Sequence, residues 1–229
     1  MSCSNNCMRK ISRRSEGGLS LVELMVLVTV VAVIAVLFLP ALSHRHPHPP
    51  AHKIKCVNNL KNVGLAFRIF ATDNNDLFPP ALMLSNGQEI TKINAISVFR
   101  ALSNELSTPI LLYCSQDAKR TKAADPVNFD TMTANNVSYF ASLSANGTNP
   151  LSILAGDRNL MLNGRPVAPG VTPMLTNAAA AWSWSKEIHV EQGYILMADG
   201  SVQQMNNVGT RFRNAVAEQG VATNWLAFP

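Results

Sequence analysis

The stretch Leu19–Leu42 contains a single ionisable residue, Glu23, and this apolar run constrains the chain more than any other feature. As a helix it would be about 36 Å long, against roughly 30 Å for the hydrocarbon core of a bilayer. It is therefore expected as a transmembrane helix. A secretory signal peptide has a shorter apolar core ending at a small-residue cleavage site, whereas this run closes on Leu39-Pro40-Ala41-Leu42. Arg9, Lys10, Arg13 and Arg14 precede it, opposed only by Glu16. Such a basic leader stays on the cytoplasmic side and sends the following domain across.

That leader also accounts for most of the formal charge of +5, and the remainder is near +2. A balance so close to neutral gives no basic stripe for a nucleic-acid partner. Aromatic residues at 7% supply no stacking platform, and a hydrophobic content of 47% excludes a disordered chain.

A carboxylate inside an apolar run costs a few kcal/mol unless it has a partner or a function, so Glu23 needs an explanation. Gly17 and Gly18 stand just before the run. The string Gly18-Leu19-Ser20-Leu21-Val22-Glu23-Leu24 resembles the signal of type IV pilins and type II secretion pseudopilins. In that family a prepilin peptidase cuts after the glycine and methylates the new N-terminus. The resemblance implies cleavage between Gly18 and Leu19, with Glu23 as the fifth residue of the mature chain and an assembly residue. Leu19 replaces the usual phenylalanine, and Pro40 falls where many members carry a helix-bending proline. The physical logic stands apart from the family. In a bundle of apolar helices the new α-amino group of Leu19 is a buried cation, and a neighbour's Glu23 is its nearest counter-ion.

The segment 43–52 holds His44, His46, His48 and His52 with three prolines, and reads as an extended linker. Its imidazoles suit metals, yet no cysteine or carboxylate stands at a spacing that completes a site. Helix should resume near Lys53, where Val57, Leu60, Gly64, Phe67 and Ala71 recur at helical steps with Lys61 and Arg68 off that face. Thr72-Asp73-Asn74-Asn75-Asp76 reads as a stop and turn, and its spacing does not fit an EF-hand calcium loop. A second helix is expected over 94–105. Strands are expected at Val137–Ala141 and in a hairpin, Tyr194–Ala198 and Ser201–Met205, turning at Asp199-Gly200. Asn163–Pro173, rich in Gly and Pro, reads as a surface loop, and Thr210–Glu218 as a short closing helix.

Cys3 and Cys7 lie in the leader, whereas Cys56 and Cys114 lie in the part that reaches an oxidising compartment. A Cys56–Cys114 disulfide and a pair of buried thiols are both compatible with that placement. The segments Cys56–Ala66, Asp157-Arg158-Asn159-Leu160 and Ala198–Val202 are similar to parts of pseudopilin-like, secretion protein G-like chains. The resemblance thus spreads over most of the sequence. It implies an α+β, pilin-like fold: a leader (1–18), a long transmembrane and assembly helix (19–42), the His/Pro linker (43–52), and a periplasmic or extracellular domain with a small antiparallel sheet (53–229).

Three classes of function are then distinguishable. The first is a structural subunit of a type II secretion or type IV pilus-like filament, non-enzymatic and without cofactor or metal. Its partners would be prepilin peptidase, other pilin-like subunits and the inner membrane. The second is a hydrolase using His189, Asp199 and Ser201, which is weak because Asp199 serves the turn and Ser201 lacks a nucleophile-elbow context. The third is an anchored surface module with Trp182 and Trp184 as contacts, against which partial core burial or a polar-capped packing role at the surface is the simpler reading.

Overall fold

The computed structural model describes residues 20–42, 51–175, 182–206 and 223–229; side chains of 37–42 and 51–52 are not described. The chain divides into two compact units, Met1–His48 and Pro49–Pro229.

In the first unit, α1 (Leu21–Leu42) carries Glu23 in its first turn. The transmembrane helix expected over 19–42 is corrected here: among the described residues no helix is long and apolar enough to cross a membrane. The helix starts only at Leu21, and its side chains are described as far as Val36.

The second unit is α+β. Its first element, α2 (Ala51–Asp73), buries Cys56, Leu60, Val63, Phe67 and Ala71, a stripe at three- and four-residue steps. The helix stops where Asn74 Nδ2 donates to the Phe70 carbonyl and Asn75 and Asp76 take positive φ. Pro79 and Pro80 open α3 (Pro79–Ser85), where their missing N–H groups cost nothing. The helix expected over 94–105 is present as two pieces, α4 (Ala95–Ala101) and α5 (Ser103–Leu106), meeting at Leu102. A capping box between Asn94 and Ser97 starts the first of them.

Among the described residues nine strands follow: β1 (Tyr139–Ser142), β2 (Ile153–Asp157), β3 (Leu160–Leu162), β4 (Arg165–Pro166), β5 (Gly170–Leu175), β6 (Trp182–Trp184), β7 (Gln192–Met197), β8 (Val202–Asn206) and β9 (Thr223–Phe228). Six form an antiparallel sheet in the order β5-β9-β1-β2-β7-β8, and β4-β3-β6 form a second, smaller one. The large sheet has apolar groups on both faces. Tyr139, Ala141, Tyr194 and Leu196 join the cluster that includes the α2 stripe, while Phe140, Ile195, Met197 and Phe228 join Trp182 and Trp184 of the small sheet. A register shift between Ile153 and Ala155 turns both Leu154 and Ala155 to the α2 side. Alternation then places large residues on two cores at once, which makes three layers.

The β7–β8 hairpin turns at Asp199-Gly200, with Gly200 at φ 85°. Two glycines mark close approaches: a Cβ on Gly64 of α2 would come within 2.7 Å of Leu196, and one on Gly193 within 2.3 Å of the Trp184 ring. The loop expected over 163–173 is also corrected, because β4 and the first half of β5 lie within it. Pro166 and Pro173 sit in strands at sheet edges, the position where a residue without an N–H can still be part of a strand. The helix expected over 210–218 lies outside the described residues.

Candidate functional site

Two places in the chain bring chemistry-bearing residues into relief. The first is α1. Its apolar side chains are exposed on every face, from Leu21 at 75% and Val22 at 68% to Val28 at 58% and Ile34 at 49%. Glu23 is the one ionisable residue among them. Gly18 and Leu19 lie outside the described residues, as do His44, His46 and His48 and the side chain of His52.

The second place is a buried polar knot in the folded unit. Cys56, from the α2 stripe, and Cys114, just after a 3-10 turn at Pro109–Leu112, are joined in a disulfide closing a separation of 58 residues. Against Cys114 Sγ, at 3.5 Å, lies Nε2 of His189. The same nitrogen is 3.5 Å from Asp157 Oδ2, and both side chains are fully buried. Asp157 closes β2 and accepts the backbone N–H of Tyr194 at 2.7 Å, so the β2–β7 pairing fixes the carboxyl.

His189 is positioned by an unusual turn. His189, Val190 and Glu191 have φ of 55°, 51° and 59°, three successive left-handed residues without a glycine. Each costs on the order of 1–2 kcal/mol, most of all the β-branched Val190. Asn159 holds this turn from inside, its Nδ2 donating to the carbonyls of Ser185, Ile188 and Gln192 at 3.0, 2.9 and 3.3 Å. One residue earlier, Arg158 grips Asp117 with two bonds of 2.7 and 2.5 Å and reaches Glu187 at 3.2 Å, while Lys119 also pairs with Glu187. Asp157, Arg158 and Asn159 therefore each serve the same corner: one faces His189, one ties the 117–119 segment to the 185–191 turn, one anchors the turn.

Burial decides the protonation of the inner pair. Loss of water pushes the Asp157 carboxyl up to about 8, helped by Asp117 and opposed by the Tyr194 N–H and Arg158. Burial, and then the Lys53 cation, lower His189 to about 4. At neutral pH the contact thus joins a neutral acid and a neutral imidazole rather than an ion pair. The linkage has opposite signs for the two groups. A raised carboxyl keeps its proton only in the folded state, so its contribution is full below about pH 4 and is lost as pH rises towards 8. A lowered imidazole contributes fully above about pH 6.5 and loses that contribution as pH falls towards 4. The two slopes oppose one another between pH 4 and 6.5, leaving a fall confined to pH 6.5–8, about 1–2 kcal/mol in size. Asp157→Asn should flatten that fall in urea titrations at pH 6.5 and 8, and an unchanged pH slope would refute the assignment.

The residues singled out from sequence fare differently. Asp199 Oδ1 accepts the Ser201 N–H at 2.7 Å within the hairpin turn, while His189 faces Asp157 and Cys114, so the three are not assembled as a triad. Trp182 and Trp184 are 4% and 2% exposed and fill the core between the two sheets. Among the described residues, Asp73 and Asp76 are not part of any cluster of three metal-ligating side chains. Asp157, Arg158 and Asn159 were visible as three polar residues closing an apolar run, but their partners lie far away in sequence.

No family model, curated protein or solved structure matches the chain.

Proposed function

We propose that this chain is a structural subunit of a pilin-like or pseudopilus filament, cut by a prepilin peptidase after Gly18 and joined to other subunits through α1. The observation that carries this reading is the all-round exposure of apolar side chains on α1. A helix that is apolar on every face is stable in water only when other apolar surface covers it, and the same helix of neighbouring subunits is a cover of matching chemistry and length. Glu23, one turn into that helix, supplies the charge that pairs with a neighbour's new N-terminus. The Cys56–Cys114 disulfide supports a folded unit that resides in an oxidising compartment of the cell envelope. Its function is assembly and display rather than catalysis.

The direct test is the mass of the N-terminal peptide from cells that contain a prepilin peptidase. The mature chain is expected to begin at Leu19, and Gly18→Val to leave the precursor uncut, because a β-branched side chain obstructs the extended approach of the scissile bond. An intact Met1 in the wild type would refute the reading.

A further inference from the structure

We propose that the reduced form of this chain binds one soft divalent cation of the zinc class through Cys56, Cys114 and His189. The inference does not depend on the filament reading. The three ligand atoms, two Sγ and one imidazole nitrogen, all lie within 4.8 Å of one another and are buried. Zinc bonds of about 2.3 Å to sulfur and 2.0–2.1 Å to nitrogen, in a tetrahedron, set sulfur and nitrogen about 3.6 Å apart. Cys114 Sγ and His189 Nε2 are already 3.5 Å apart. The sulfurs need only separate from their bond to about 3.8 Å, within the reach of side-chain rotation.

The three side chains are held in place by the fold around them. Asp157 Oδ2 lies 3.5 Å from the same imidazole nitrogen, and Asp157 Oδ1 has no hydrogen-bond partner, so a second polar side chain stands beside the His189 ligand. The imidazole is brought there by the left-handed turn, whose strain is maintained by the three bonds from Asn159. Two thiolates and an imidazole select zinc-like ions over calcium or magnesium, which prefer oxygen.

The chemistry balances with a dithiol as reductant. The Cys56–Cys114 S–S bond takes two electrons and two protons from the dithiol, which becomes a disulfide. The cation then displaces both thiol protons to solvent, and sulfur–metal–sulfur replaces sulfur–sulfur as the link between α2 and the segment at Cys114.

The test uses the full chain in detergent, reduced with a dithiol, freed of it without oxygen, and titrated with Co(II). One equivalent is expected to produce sulfur-to-cobalt charge transfer in the near ultraviolet and tetrahedral d–d bands in the red, both bleached by Zn(II). The oxidised chain should show neither. Cobalt held by the linker histidines would lack the sulfur bands and so is distinguishable. His189→Asn, checked for folding by circular dichroism, should weaken cobalt binding at least about tenfold. Independently of any variant, Zn(II) should slow alkylation of both Cys56 and Cys114 in the reduced wild type. Absence of sulfur–cobalt bands, alkylation unaffected by Zn(II), or a folded His189→Asn chain that binds as tightly as wild type would each overturn the proposal.

Discussion

Glu23→Ala is expected to yield mature protein in normal amount but almost no multimers. On the filament reading a peptidase acts at Gly18 before any packing, so trimming would not need the carboxylate. Assembly does. Once α1 helices lie side by side, the α-amino group of Leu19 is a cation among leucines and valines, and Glu23 of a neighbour is the counter-ion the helix offers. Leaving that cation unpaired costs roughly 3–5 kcal/mol per subunit, a factor of a few hundred or more in the affinity of each addition. The measurement compares sheared or crosslinked multimers from wild type and Glu23→Ala in the same cells, alongside the amount of trimmed product. Normal multimers from the mutant would remove the charge pair from the mechanism, and absent multimers from the wild type would favour a chain that is exported and displayed singly.

Removing the disulfide is the second large perturbation. In the chain-entropy account, a bridge closing a separation of 58 residues contributes about 4 kcal/mol by restricting the unfolded chain. Both sulfurs are buried in the cluster that joins α2 to the sheet, so a Cys56→Ser, Cys114→Ser chain also places two hydroxyls in apolar surroundings. Urea unfolding of the double variant, with a chelator present throughout, should show a midpoint lowered by about that free energy divided by the urea slope. A loss below about 1 kcal/mol would mean that packing of the α2 stripe alone holds the helix to the sheet.

Where a feature depends on neighbours in sequence, the chain can be read directly. The α2 stripe follows from spacing, the stop after Asp73 from a cluster of short polar residues, and the β7–β8 turn from Asp199-Gly200. The strand Trp182–Trp184 puts both rings inside, deeper than the partial burial that the sequence suggests. The misreadings have equally local causes. Pro166 and Pro173 suggested a loop because proline cannot donate to a ladder, but an edge strand has one side with no ladder to serve. The expected helix over 94–105 has no proline or glycine to announce its break at Leu102. The length of the apolar run suggested a membrane crossing, whereas among the described residues no helix is long and apolar enough for one.

The buried knot was the least legible part. Cys56 and Cys114 stand out by compartment, but His189 and Asp157 meet only because β2 pairs with β7 and the 185–191 turn doubles back over Arg158 and Asn159. No local pattern records that meeting. The closest signal is the run Asp157-Arg158-Asn159, a polar residue ending a strand buried along its whole length followed by two more.

The position of β9 limits when the molecule can take shape. This strand, residues 223–228, is the most C-terminal of the described strands, yet it lies between β5 and β1 and pairs with both. A chain emerging N-terminus first from a ribosome or a translocation channel can form α2 early and the β7–β8 hairpin later. The centre of its large sheet stays open until residue 228 has emerged. Without those residues β5 has no partner strand in the sheet and β1 keeps one open edge, so two-thirds of the large sheet's strands can pair before β9 arrives but the sheet cannot be completed.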